Sequence, residues 1–80
     1  MTDRLTAIFS DILNLPPDRL SDDTSPANAP SWDSLANMLL IAAIEETFEI
    51  ELVTAEIEVM GSIGKVRALL EQRNIRVAAE

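Results

Sequence analysis

Residues 31–50 read SWDSLANMLLIAAIEETFEI, and this stretch predicts a helix from about Ser34 to Phe48. Asp33 precedes the helix, and its carboxylate can accept hydrogen bonds from the first free backbone N–H groups. Apolar residues recur at the spacing of one helical face, at Leu40, Ile41, Ile44 and Phe48. We expect Glu45, Glu46 and Glu49 on the exposed side, followed by an extended connector over residues 49–52.

A first helix is predicted upstream, from about Thr2 to Asn14. It ends there because Pro16 disfavours helical backbone at Leu15. Its apolar face consists of Leu5, Ile8, Phe9, Ile12 and Leu13.

Two more helices are predicted downstream. A short one covers about Ala55 to Val59, with Thr54 as its cap and Gly61 as its end. The last runs from a cap at Ser62 to about Arg73. Its candidate core positions are Ile63, Val66, Leu69 and Leu70.

The connection between the first two helices is long and rich in turn-forming residues. Pro17 to Leu20 are predicted to form a single turn, and residues 21–32 (SDDTSPANAPSW) a loop anchored by Leu20 and Trp32. Loops of this length in compact domains are often functional. The predicted fold is all-α: a small four-helix bundle, with three longer helices and one short one, and a long loop between helices one and two.

The chain has 80 residues, enough for one domain over residues 1–80, with 76–80 expected as a frayed tail. Hydrophobic residues make up 48%, but the aromatic residues are only Phe9, Trp32 and Phe48, so the core must be mainly aliphatic. Met38 and Met60 are interpreted as core residues. Trp32 is interpreted as packing over the loop, with a place on a partner surface as the alternative.

The absence of cysteine and histidine excludes several classes of site. The chain alone cannot form a disulfide, a Ser-His-Asp or Cys-His catalytic arrangement, or a zinc site with nitrogen and sulfur ligands. Two acidic pairs, Asp22 with Asp23 and Glu45 with Glu49, could hold a divalent cation. We interpret them instead as solvated acids and expect no metal.

No membrane or export segment is predicted. The most apolar run, residues 35–44, is too short to span a bilayer, and the N-terminus lacks the layout of a signal peptide. We therefore expect a cytoplasmic protein.

The net charge is −8, and the acids are concentrated in the middle of the chain. No basic residue lies between Arg19 and Lys65. The acids in that interval are Asp22, Asp23, Asp33, Glu45, Glu46, Glu49, Glu51, Glu56 and Glu58. The negative electrostatic field of this segment disfavours binding to nucleic acid and anionic membranes and favours basic partners. The alternative is that the acids only keep a small protein soluble.

Ser34 is the candidate functional residue because it opens the second helix directly after the long loop. A phosphate attached to its hydroxyl would meet free backbone N–H groups and the positive end of the helix dipole. With no histidine or cysteine near it, any reaction at Ser34 requires catalysis by a second protein. From position alone, however, an ordinary first-turn serine is the favoured interpretation.

Residues beyond Ser34 change that interpretation. Trp32-Asp33-Ser34-Leu35, followed by Ile44-Glu45-Glu46-Thr47-Phe48, resembles the acyl carrier protein family. Its members have an Asp-Ser-Leu motif at the start of helix two and a Leu/Ile-Glu-Glu-x-Phe pattern near its end. Length, acidity and the helix order resemble the family as well.

The resemblance implies a carrier protein rather than an enzyme. A phosphopantetheinyl transferase would attach 4′-phosphopantetheine from coenzyme A to Ser34, with Asp33 and Leu35 as its motif neighbours. The arm would hold an acyl or aminoacyl group as a thioester for a fatty-acid, polyketide or related dedicated pathway. The alternative is an acidic helical interaction module in which Ser34 is never modified.

The resemblance also implies partners: loading and transferring enzymes with basic docking patches, which would bind a monomeric carrier. The candidate partner-contact residues are Met38, Leu39, Glu45 and Glu46. The chain departs from the family in having Ser31-Trp32 where Gly and a small apolar residue are usual. It also has Ala36 and Leu39 where housekeeping fatty-acid carriers have acids. If both are exposed, they indicate a specialised carrier; alternatively, Leu39 turns into the bundle beside Leu35.

Overall fold

The computed structural model describes residues 3–77 and confirms the all-α prediction. Four helices follow one another, and no strand occurs within this range. They are α1 (Arg4–Leu13), α2 (Ser34–Phe48), α3 (Thr54–Glu58) and α4 (Ile63–Gln72), with a 3₁₀ turn at Pro17–Arg19 after α1. The predicted start at Thr2 and the end of the tail, residues 78–80, lie outside the described residues. No helix in the described range is long and apolar enough to cross a membrane.

Helix α2 has the predicted bounds and cap. The Asp33 carboxylate accepts a hydrogen bond from the Ala36 backbone N–H at 2.9 Å. At the other end, Glu49 is left-handed, with φ 56°, and its N–H bonds to the Glu45 carbonyl. Glu49 therefore closes the helix instead of beginning an extended connector.

The ends of α1 and α4 are also set by short polar side chains. Asp3 accepts from the Thr6 N–H at 2.7 Å, and Ser62 accepts from the Lys65 N–H at 3.2 Å, as predicted for Ser62. Asn14 is left-handed, with φ 57°, so α1 ends at Leu13. The predicted helix, which extended to Asn14, was therefore one residue too long at this end.

The predicted boundaries of α3 were wrong at both ends. Thr54 is the first helical residue and not the cap, because the Glu56 carboxylate accepts from the Val53 N–H at 3.1 Å and starts the helix one residue earlier. Gly61 does not end the helix. The chain already leaves it at Val59, with φ −97°, and Gly61 has no positive φ.

The core contains the predicted apolar faces. The fully buried residues include Leu5, Phe9, Leu13, Leu40, Ile44, Ile63, Val66 and Leu70. Ile8, Ile12 and Ile41 pack against this core but are only partly buried. Met60 is buried as predicted, whereas Met38 is 68% exposed, so its interpretation as a core residue was wrong.

Trp32 anchors the long loop in the core. It is 3% exposed, and its ring meets Phe9 of α1 edge to face, with centroids 5.0 Å apart. The packing interpretation of Trp32 is thereby confirmed. Leu20 contributes a second, partly buried contact with the core.

The loop is also fixed to the start of α4 by backbone hydrogen bonds. The Ile63 N–H donates to the Thr24 carbonyl at 3.0 Å, and the Gly64 N–H donates to the Asp22 carbonyl at 2.9 Å. Thr24 is the one polar residue among the buried set of the described chain. Asp22 approaches the backbone at position 64 so closely that this position requires glycine.

Arg67 of α4 joins the loop to the start of α1. Its guanidinium pairs with the carboxylates of Asp3 and Asp22, the latter at 3.1 Å, and donates to the Thr6 hydroxyl at 3.3 Å. Burial alone would raise the pKa of Asp3, but hydrogen bonds from the Thr6 N–H and Arg67 outweigh it and lower this pKa. Burial would lower the pKa of Arg67, and its bonds to Asp3 and Asp22 raise it instead.

The end of the described chain returns to α1. The Arg4 N–H donates to the Val77 carbonyl at 3.1 Å, and the Arg4 guanidinium donates to the Arg76 carbonyl while lying 4.6 Å from the centre of the Phe48 ring. Val77 is buried. The predicted frayed tail was therefore wrong for Arg76 and Val77, because main-chain bonds and burial hold them.

Replacing Gly64 should destabilise the fold. A Cβ there would lie 2.9 Å from both Cβ and the carbonyl oxygen of Asp22, so Gly64→Ala should lower the free energy of unfolding by about 2 kcal/mol. Gly61→Ala is the matched control, because its Cβ would meet only Lys65 side-chain atoms at 3.7 Å. Urea titration followed by circular dichroism measures both. Equal stability of the two variants would contradict the tight contact.

The Asp3–Arg67 pair should make stability depend on pH in acid. A lowered pKa in the folded state gives stability that is present above the ordinary Asp pKa of 3.8 and is lost as pH falls through the lowered value. Asp3→Asn keeps a capping side chain but loses the ion pair, so it should cost about 1 kcal/mol at neutral pH and less at about pH 3. Asp11→Asn, which removes an exposed acid of the same helix, is the control in urea titrations. A cost for Asp3→Asn that stays constant with pH would argue against the pair.

Candidate functional site

Ser34 lies at the first position of α2 with its side chain exposed. Its hydroxyl makes no hydrogen bond to any group of residues 3–77. The neighbouring Asp33 carboxylate accepts a hydrogen bond from the Ala36 N–H and so holds the helix start in place. The result is a free hydroxyl on a rigid element, where a phosphate would meet the N–H groups of the first turn.

A shallow pocket of about 390 Å³ adjoins Ser34. Its lining residues are Pro26, Trp32, Asp33, Ser34, Asn37 and Met60. The set contains no lysine, arginine or histidine. The pocket can therefore receive a group attached to Ser34, but it offers no cation to activate a substrate and no histidine to deprotonate the hydroxyl.

The exposed face of α2 beside Ser34 is apolar. Leu35, Met38 and Leu39, three and four residues apart, are 66%, 68% and 51% exposed. The alternative in which Leu39 turns into the bundle beside Leu35 is wrong. Ala36, however, is 7% exposed and packs in the core, so its predicted place on the docking surface was also wrong.

The two predicted partner-contact acids have different environments. Glu46 is exposed, as expected. Glu45 is half-buried, and one of its carboxylate oxygens accepts a hydrogen bond from the Leu52 N–H at 2.9 Å. Glu45 therefore holds the connector after α2, and its predicted place on the exposed side was wrong in part.

Two acids of the central interval form ion pairs with α4. Asp22 pairs with Arg67, and Glu56 pairs with Arg73 at 2.9 Å, so Asp22 is not simply a solvated acid. Within residues 3–77, no group of three or more acidic, histidine or cysteine side chains is arranged to hold a metal ion. Among the acids without such pairs, Asp33 adjoins Ser34, and Glu45, Glu46 and Glu49 lie at the end of α2.

Asn37 was missed by the sequence reasoning. Its side-chain oxygen accepts a hydrogen bond from the Trp32 indole N–H at 3.0 Å, and it lines the pocket that Ser34 also lines. The sequence carried one usable signal, a polar residue one turn after Ser34 in an otherwise apolar segment. Its pairing with Trp32 depends on the fold of the loop and could not be predicted.

Comparisons with known proteins identify similar proteins over most of the chain. The family described as "phosphopantetheine attachment site" matches residues 3–72. Among solved structures, the solution NMR structure of a holo acyl carrier protein from Nitrosomonas europaea is similar, with a TM-score of 0.75 and 27% sequence identity. The match covers 88% of this chain and 90% of that one.

Proposed function

The chain belongs to the family of proteins with a phosphopantetheine attachment site, and from this premise we propose that Ser34 is the residue that carries the group. The protein is a carrier and not an enzyme, and its cofactor is covalently bound 4′-phosphopantetheine. When bound, this group supplies a terminal thiol that holds cargo as a thioester. Because the chain has no cysteine, no side-chain thiol competes with it.

The observation that carries the assignment is the free, exposed hydroxyl of Ser34 at the start of α2. Three other serines use their side-chain oxygen within the fold. Ser10 donates to the Leu15 carbonyl at 2.6 Å, Ser21 accepts from the Asp23 N–H, and Ser62 caps α4. Among the serines of residues 3–77, Ser34 is the one that combines a hydroxyl without a hydrogen bond, the first turn of a long helix and the adjoining pocket.

The residues around Ser34 have different roles in this function. Asp33 fixes the helix start, so the Ser34 hydroxyl is presented at one position to a phosphopantetheinyl transferase. Trp32 and the loop contacts to α4 hold the approach to Ser34 from the other side. Because no histidine, lysine or arginine lines the pocket, the transferase supplies the catalysis.

The pathway we propose is a dedicated one, such as a specialised fatty-acid, polyketide or aminoacyl route in the cytoplasm. The support is the surface beside Ser34, where Leu35, Met38 and Leu39 are exposed. A basic partner surface shaped for acids would have to desolvate its cations against Leu39 without a compensating bond. An apolar pocket on a dedicated partner could instead bury Leu39.

The partners we propose are loading and transferring enzymes whose docking surface combines an apolar pocket with basic residues. Met38 and Leu39 would fill the pocket, and Glu46 would face the basic residues. Glu45 would contribute mainly through its charge, because one of its oxygens is bonded to the Leu52 N–H. Exposed charge pairs of this kind act more on association rate than on affinity.

Loading of Ser34 is the direct test of the proposed function. Incubation with coenzyme A, Mg²⁺ and a broad-specificity transferase should add one phosphopantetheine to the wild type, and Ser34→Ala should abolish the addition. Ser31→Ala removes a nearby exposed serine and should be loaded like the wild type. Intact-mass spectrometry measures the addition, and circular dichroism checks the fold. Loading of Ser34→Ala at the wild-type level would refute the assignment.

Reversing the charge at Glu46 should slow loading by the transferase. Glu46→Lys should lower kcat/KM severalfold at low salt, and the difference should shrink as salt screens the charges. Glu71→Lys makes the same charge change at an exposed position of α4 and serves as the control. Glu45→Lys is less suitable, since it would also break the bond to Leu52. Equal effects of the Glu46 and Glu71 variants would show that only net charge matters.

A further inference from the structure

Asn37 combines two features: its side-chain oxygen is bonded to Trp32, and the residue lines the pocket beside Ser34. Resting on the proposed attachment at Ser34, we propose that the Asn37 side-chain amide binds the phosphodiester of the arm and that Trp32 positions this amide. The proposal names a cofactor-binding residue beyond the Asp33-Ser34-Leu35 motif. It follows from three features of the structure: orientation, location and local charge.

The orientation of Asn37 is fixed by the chemistry of its partner. An indole N–H can only donate, so the group that faces Trp32 at 3.0 Å must be the amide oxygen, Oδ1. The Asn37 NH₂ group must then point away from the indole. Trp32 itself is held in place by burial and by its edge-to-face contact with Phe9 at 5.0 Å.

The location of Asn37 places it beside Ser34. The two residues are three apart on α2, a spacing that places side chains side by side on a helix, and both line the pocket of about 390 Å³. Within residues 3–77, the amide NH₂ of Asn37 donates to no acceptor. Among the other lining residues, Pro26 and Met60 offer no donor, and the Trp32 N–H is already used.

The local charge makes a neutral donor useful at this position. A phosphodiester is an anion, and here it would lie next to the Asp33 carboxylate in an interval without lysine or arginine. No cation of this interval can offset the repulsion. The Asn37 NH₂ can donate to a phosphate oxygen, and hydrogen bonds to charged groups are about twice as strong as neutral ones.

A competing explanation is that Asn37 only satisfies the buried indole N–H. In that role only Oδ1 takes part, and attachment of the arm would not change the environment of the NH₂ group. The two explanations therefore differ in what the NH₂ group does when phosphopantetheine is attached. A measurement that observes this group directly, without relying on a partner enzyme, separates them.

The test compares apo and holo protein labelled with ¹⁵N by NMR. In the holo protein, the Asn37 side-chain NH₂ resonances should shift, and their exchange with water should slow by about tenfold, as expected for a hydrogen bond to a charged group. The side-chain amides of Asn14 and Asn74, which lie at the ends of α1 and α4, are internal controls and should not change. Unchanged Asn37 resonances in a fully loaded protein would overturn the proposal.

Two variants extend the test. In the holo protein, Asn37→Asp should move the ³¹P resonance of the arm, because it replaces the donor with a second carboxylate. Trp32→Phe keeps an aromatic ring on Phe9 but removes the indole donor, so the holo-minus-apo shift of Asn37 should fall by about half or more as the amide turns. No effect of Trp32→Phe on that shift would remove Trp32 from the proposal.

Mass spectrometry of the same samples distinguishes the two levels of failure. If Ser34 is loaded and the Asn37 resonances do not move, this inference is wrong and the proposed function stands. If no phosphopantetheine is added at Ser34, the proposed function fails and the inference fails with it.

Discussion

The edge-to-face contact between Trp32 and Phe9 is the interaction on which the site depends. It joins the last turn of the long loop to α1, directly before the residue that caps α2. Trp32 is buried, whereas Asp33 and Ser34, which follow it directly, are exposed. The same indole orients Asn37 through its N–H. A small apolar residue at position 32, as the family usually has, would provide neither the ring contact nor the indole donor.

The long loop is held by contacts that its composition does not reveal. Turn-forming residues indicated a loop, but they did not indicate that its backbone would bond to α4. The Thr24 and Asp22 carbonyls accept from the Ile63 and Gly64 N–H groups, which are otherwise unpaired at a helix start. Arg67 then ties Asp22 to Asp3, so the loop, α1 and α4 are bonded to one another. This arrangement holds one side of the site without using any residue of α2.

The sequence was sufficient for the order of the helices and for the bounds of α2, because both follow from local rules. The resemblance around Ser34 was sufficient for the family, whereas the role of Ser34 itself stays a prediction. Asp33 as a cap, the apolar spacing of α2 and the resemblance around Ser34 need no knowledge of distant neighbours. Several predictions that depended on neighbours were wrong, as were the bounds of the short helix α3. Ala36 and Met38 are both apolar and two residues apart, yet Ala36 is buried on the same face as Leu40 and Ile44, whereas Met38 is exposed. Glu45 was placed on the surface because its partner, the Leu52 N–H, lies beyond the end of the helix.

Glu45 and Glu46 are adjacent near the end of α2, yet within residues 3–77 only Glu45 takes part in a side-chain hydrogen bond. Glu45 uses an oxygen to satisfy the Leu52 N–H, which would otherwise lack a partner beside a buried side chain. Glu46 makes no such bond within the described range and is exposed, so it is available for the partner contact proposed above. Leu35, Met38 and Leu39 meanwhile leave apolar surface beside Ser34, and such surface favours association of any kind. The net charge of −8 opposes association between copies of this chain and favours basic partners over acidic ones. The apolar residues can therefore remain exposed for the partners proposed above, because repulsion between two copies disfavours their burial against a second carrier.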